Sequence, residues 1–249
     1  MSKHGGFTLI ELLIVMAIAG LLFAGLLQSL VVSGEVHGQL SKRDRILADV
    51  ESVALGLSTD LARAGFLSSD PAAVTWLAQN WSASSYPTIE VDAGSAFDDL
   101  TIRWGAVDSE CPCDAEETHT VDGQTRCIRK VEYFVSDGGL QRDLDEADAV
   151  TVLPYTVEAF KVFFGDRDGN WSDQMPADAT DLSAVGVYLR VRTPYDSDAG
   201  CGTYPSSEAL AAFGSAADLG IPEETYSNCS NLLRMERVVS VGLANLQRY

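Results

Sequence analysis

The 249-residue chain is 46% apolar and 21% charged, proportions that support a folded core. Its formal net charge of −19 sets 36 acidic side chains against 17 basic ones, a surface that repels phosphate backbones and disfavours nucleic-acid binding. Three histidines, no G-x-S-x-G, no H-E-x-x-H and no phosphate-cradling glycine loop leave no catalytic constellation, so no enzymatic activity is expected.

The chain opens Met1-Ser-Lys3-His-Gly5-Gly6 and then runs apolar from Phe7 to Val32, interrupted by one charge, Glu11. As a helix those 26 residues rise roughly 39 Å, enough to cross a hydrocarbon core of about 30 Å. Small residues stand before this run, where a secretory signal would place them after it, and Lys3 supplies a cytoplasmic positive flank. A carboxylate within an apolar span costs about 3 kcal/mol, so Glu11 calls for a compensating partner or a function.

Beyond Val32 the pattern turns amphipathic. Val36, Leu40, Leu47, Val50, Ala54, Leu57, Leu61 and Ala64 recur at helical steps, and no proline falls between Phe7 and Phe66. One long helix is expected, stopped at Gly65 with Pro71 just beyond. The organisation read from this is residues 1–6 as a leader, 7–32 as a membrane-spanning half-helix, 33–66 as its amphipathic continuation and 67–249 as a globular β domain.

Within that domain, 100–106, 128–135, 157–164, 184–192 and 235–243 alternate as strands, and Asp137-Gly-Gly139 marks a hairpin turn. The spans 66–98 and 194–233, rich in Ser, Ala, Asp and Gly, read as insertions. A long helix followed by strands predicts an α+β fold, the helix packed on an antiparallel sheet.

Two clusters invite chemistry. Asp166, Asp168, Asn170 and Asp173 offer the oxygen donors calcium prefers. They depart from an EF-hand loop, with glycine at the fourth position and Ala177 where the bidentate acid belongs, and the same residues suit a plain hairpin turn. Calcium is the one cofactor the sequence offers. Cys111, Cys113, His119 and Cys127 can be written as a zinc set, but their spacing matches no zinc module, and a local disulfide from Cys127 to Cys111 or Cys113 is preferred. Cys201 and Cys229 flank the second insertion and are expected to pair, closing a loop of roughly 28 residues worth about 3–4 kcal/mol by chain entropy. Five cysteines leave one thiol over.

The string Gly6-Phe7-Thr8-Leu9-Ile10-Glu11 ahead of a long apolar helix resembles the signal of type IV pilins and type II secretion pseudopilins. That resemblance implies cleavage by a prepilin peptidase between Gly6 and Phe7, N-methylation of Phe7, and pairing of Glu11 with the Phe7 ammonium of a neighbouring subunit. Asp60-Leu-Ala-Arg-Ala-Gly65-Phe66 resembles the helix end of PilW-type minor pilins. Tyr133 through Gly139-Leu140-Gln-Arg142, and Phe163-Phe-Gly-Asp166 through Trp171, are similar to hairpins of PilW-type pilins and J-type minor pseudopilins, although Met175 replaces the second tryptophan usual before a proline. The resemblance implies an assembly subunit that initiates or caps a pilus or pseudopilus. Its partners would be other pilin subunits, the prepilin peptidase and the inner membrane, its globular part periplasmic before assembly and on a cell-surface filament or periplasmic pseudopilus after it. A pilus-borne adhesin, binding a ligand through the two insertions, is the alternative reading.

Overall fold

A proline-free run dominated by Leu, Ile, Val and Ala folds as one uninterrupted helix, α1, Leu9–Arg63. The computed structural model describes residues 9–64, 89–107, 119–121, 124–145, 147–176, 181–193, 202–226 and 233–243. The chain divides into two units, Met1–Leu47 and Ala48–Tyr249. In the first, the large apolar side chains of α1 from Leu9 through Val32 turn outward. Its segment Leu9–Gly34 has the length and composition to cross a membrane, and none of that window is buried in the protein.

The part of α1 in the second unit buries Val50, Val53, Ala54, Leu57, Leu61 and Ala64, a stripe at steps of three and four. The expected stripe is thereby corrected at its start: Leu40 and Leu47 are exposed, and Ile46 is buried in place of Leu47. The helix also stops at Arg63, ahead of Gly65, with the Ala64 N–H donating to the Leu61 carbonyl.

The strands of the second unit form two main antiparallel sheets where the sequence suggested one. In the first sheet are β1 (Ile89–Asp92), β2 (Asp99–Val107), β3 (His119–Val121), β4 (Gln124–Ser136), β5 (Gly139–Leu144) and β6 (Val150–Leu153), in the order β1-β2-β4-β5-β6 with β3 also on β4. The second contains β7 (Thr156–Asp166), β8 (Trp171–Ser172), β9 (Leu182–Thr193) and β12 (Leu233–Gly242), in the order β12-β9-β7-β8. A short ribbon joins β10 (Gly202–Tyr204) to β11 (Glu224–Tyr226). The expected hairpin is β4–β5. Asp137 and Gly138 at its tip both take positive φ, 52° and 78°, the geometry of a two-residue turn matched to strand twist.

Both expected insertions contribute to the core. At the end of the first, β1 adds to the sheet and Asp98 enters the interior, where its carboxylate accepts from Lys161 Nζ (2.6 Å) and the Val162 N–H (2.8 Å). Lys161 Nζ also donates to the Gly94 carbonyl at 2.7 Å, and the side chains of this pair are 7% and 2% exposed. Backbone bonds from Asp98 to Phe160 and from Phe160 to Ala96 complete the tie between the β1–β2 connection and β7. In the second insertion Leu210, Leu219 and Ile221 bury against Ala159, Phe163 and Tyr188. Phe213 stacks edge-on with Phe163 and Trp171, at 5.5 and 5.1 Å between centroids. These apolar residues are spaced too widely in a Ser/Ala/Gly-rich stretch to give a period, so the sequence hid their packing.

Replacing Lys161 by Met leaves the Asp98 carboxylate buried without its cation. The full chain in detergent should lose about 3–5 kcal/mol of stability, read as a lowered denaturation midpoint.

Candidate functional site

Two regions hold the residues that the sequence singled out. The first is the start of α1. Glu11 is an exposed acid in the opening turn, where unpaired helix N–H groups favour negative charge. Gly6 and Phe7 lie outside the described residues.

The second region is where α1 meets the hairpin β4–β5, and it joins residues from two separate motifs. Asp60, 4% exposed, projects from the last turns of α1 into the sheet. The Tyr133 hydroxyl on β4 donates to Asp60 Oδ2 at 2.6 Å. Arg142 on β5, directly across from Tyr133 in the strand register, brings Nε to 3.1 Å and Nη2 to 3.0 Å of the same oxygen. Its Nε also donates to the Tyr133 hydroxyl at 3.1 Å. Burial, reinforced by the Asp60 carboxylate, raises the Tyr133 hydroxyl well above the ordinary tyrosine range. Asp60 and its partners raise the affinity of Arg142 for its proton against the opposing effect of burial. The Tyr133 hydroxyl therefore stays protonated and donates, and the Arg142 guanidinium stays charged. It is a structural clamp with one open side. Sequence motifs contained all three residues without showing that they meet.

At the expected calcium loop, Asp166 closes the turn on itself. Its carboxylate accepts from Asn170 Nδ2 (2.9 Å) and the Asn170 N–H (2.8 Å), contacts that hold its carboxyl below the usual range. Gly169 takes φ 86°, which the turn requires. Asp166, Asp168 and Asp173 do not gather into a group of three carboxylates able to hold a metal, nor does any other set among the described residues. Cys127 is buried and disulfide-bonded, so its thiolate is not available to a zinc set. Cys111, Cys113, Cys201 and Cys229 lie outside the described residues. Trp104 is a core residue flanked by the guanidinium groups of Arg63 and Arg129.

The model of the prokaryotic N-terminal methylation motif matches residues 1–27. Among solved structures, the type IV-like pilin TTHA1219 from Thermus thermophilus aligns with a TM-score of 0.54 and 20% identity, over 82% of this chain and 100% of that one. No curated protein sequence matches. The chain is pilin-like in fold and prepilin-like at its N-terminus. In this pilin-like chain the outward apolar face of Leu9–Gly34 is the surface that has no use in a soluble monomer, and it fits a membrane-anchored pilin.

Tyr133→Phe removes the hydroxyl and leaves the ring, so the chain should lose about 1.5–3 kcal/mol, the worth of a hydrogen bond to a charged group. The same variant has a pH signature. Tyr133 holds its proton above the ordinary value of 10.0 in the folded state, so its contribution is complete below that pH and fades as pH rises past it, where only the unfolded chain ionises. Unfolding midpoints of the full chain should therefore fall between about pH 9 and about pH 11, and fall less in Tyr133→Phe.

Proposed function

We propose that this chain is a minor pilin or minor pseudopilin, an assembly subunit that initiates or caps a type IV pilus or a type II secretion pseudopilus. The observation that carries the reading is the methylation-motif match over residues 1–27 at the head of a pilin-like fold. Cleavage after Gly6 frees the Phe7 amine. Methylated Phe7 then lies four residues before Glu11 in a run whose only charged side chain is that acid. When two such helices stagger, the ammonium of one neutralises the carboxylate of the other, offsetting the cost of about 3 kcal/mol for an acid in hydrocarbon. Before assembly the helix anchors the chain in the inner membrane with the globular unit in the periplasm. Partners are the prepilin peptidase and other pilin-like subunits, and no catalytic step is assigned.

The low-copy role is supported by the bulk of the globular unit, which spans Ala48–Tyr249 and includes core residues from the second insertion. That packing also counts against the adhesin alternative, since Leu210, Leu219 and Ile221 of the second insertion face the core.

The test is the mass of the N-terminal peptide from native membranes, with and without the prepilin peptidase, followed by the fate of Glu11→Val. A peptide beginning at N-methylated Phe7, present only with the peptidase, is expected. Glu11→Val should still be cleaved yet enter filaments at a small fraction of the wild-type level. A peptide beginning at Met1 in peptidase-containing cells overturns the reading.

A further inference from the structure

Beside the Asp60–Tyr133–Arg142 cluster an open groove of about 460 Å³ runs between α1 and the β5–β6 side of the first sheet. Leu55 stands on its helical wall, 69% exposed, in a unit whose other described large apolar residues are mostly buried. Val152 lines the opposite wall. Val150 pairs with Arg142 across β5 and β6, so the two share a face, and Val150 is 62% exposed. Apolar side chains thus remain uncovered on both rims.

The polar end of the groove is a half-used guanidinium. Arg142 commits Nε and Nη2 to Asp60 and Tyr133, whereas Nη1 makes no hydrogen bond or ion pair among the described residues. The Arg142 side chain is 30% exposed. Arg63, largely exposed, stands 3.9 Å from the same Asp60 carboxylate, so two guanidinium groups share one acid. This local positive excess is unusual in a unit with 33 acidic and 13 basic side chains. An acceptor bearing negative charge, presented beside an apolar residue, satisfies both ends at once.

We propose that this groove docks an acidic side chain flanked by apolar residues on a neighbouring pilin-like subunit. The inference rests on the assembly reading above and names a contact surface for it away from the N-terminal helix bundle. The carboxylate meets Nη1 of Arg142, and the apolar neighbours cover Leu55 and Val150. The excess of acid elsewhere on the surface disfavours other approaches by like-charge repulsion.

The test places a benzophenone photocrosslinking residue at Leu55 of the full chain in cells that assemble the filament. Leu55 is exposed, so the substitution leaves the core intact. The expected result is an adduct with another pilin-like subunit, mapped by peptide mass to a segment where Asp or Glu adjoins an apolar residue. Arg142→Lys keeps a cation against Asp60 and removes the free edge, and it should reduce the adduct about tenfold, as expected for losing one charge-assisted contact. Val150→Asn, at an exposed position that makes none of the Asp60 contacts itself, should reduce it as well without lowering the unfolding midpoint. Filaments that contain the chain but yield no Leu55 adduct overturn this inference alone, as does an adduct to lipid or to a segment without an acid. Absence of the chain from filaments overturns it together with the assembly reading.

Discussion

One carboxylate, that of Asp60, determines how the helix meets the first sheet within the globular unit. Withdrawing an acid from water costs several kcal/mol unless its oxygens are matched, and a lone ion pair often fails to recover that cost. Here Oδ2 takes a hydroxyl and two guanidinium nitrogens, donated from adjacent strands. Such convergence is possible at one rotation and one height of the helix over the hairpin. Apolar contacts from Val53, Leu57 and Leu61 stabilise the packing without choosing among nearby registers, because ridges of similar shape recur each turn. The polar cluster supplies the choice.

The same device recurs between the sheets. Lys161 and Asp98 tie the β1–β2 connection to β7, with every oxygen of the carboxylate engaged. Across the second sheet, Arg190 is fully buried beside Glu158 (3.5 Å) and Glu224 (3.1 Å), and Arg234 lies 3.5 Å over the ring of Tyr226 while its Nε donates to Glu158. Glu224 and Tyr226 come from β11, so this network fastens the second insertion to the sheet as Leu210 and Leu219 do on its apolar side. Basic residues are scarce in this chain, and several of them sit at junctions between elements. Acidic residues in excess are left to the solvent, where they favour solubility.

The legible parts of the sequence were those governed by a local rule. A proline-free apolar run read directly as α1, and alternation placed β2, β4, β7, β9 and β12 to within a few residues. Hairpin register was also within reach: the turn at Asp137-Gly138 sets Tyr133 opposite Arg142, and antiparallel pairing puts both on one face. What no local rule conveyed was that Asp60, 73 residues before Tyr133, closes on that pair. The division of strands between two sheets was hidden for the same reason, since it depends on where Asp98 and Lys161 meet. The packing of residues inside the two insertions was hidden because composition reports mean hydropathy, whereas a few separated side chains such as Ile89, Leu210 and Leu219 suffice to fix a segment. Gly6, Phe7 and Glu11 stood out by sequence because small residues ahead of a long apolar run, and a single acid within it, form a local pattern.

The two units present different surfaces. Met1–Leu47 carries four basic and three acidic side chains, nearly neutral, and exposes an apolar surface that only lipid or other helices can cover. Ala48–Tyr249 carries almost all of the negative charge, and among its described residues most large apolar side chains are buried, Leu55 and Val150 being exceptions. In lipid an apolar helix face gains little by hydrophobic association with another, and acid-rich globular units repel one another until their surfaces fit. Selection among neighbours must therefore come from sites where that repulsion is locally reversed. In the globular unit, Arg142 and Arg63 set two guanidinium groups against one carboxylate beside the exposed Leu55. The carboxylate that orients the helix thus also holds the cation that a neighbour would recognise, which makes internal order and external choice depend on the same pair of residues.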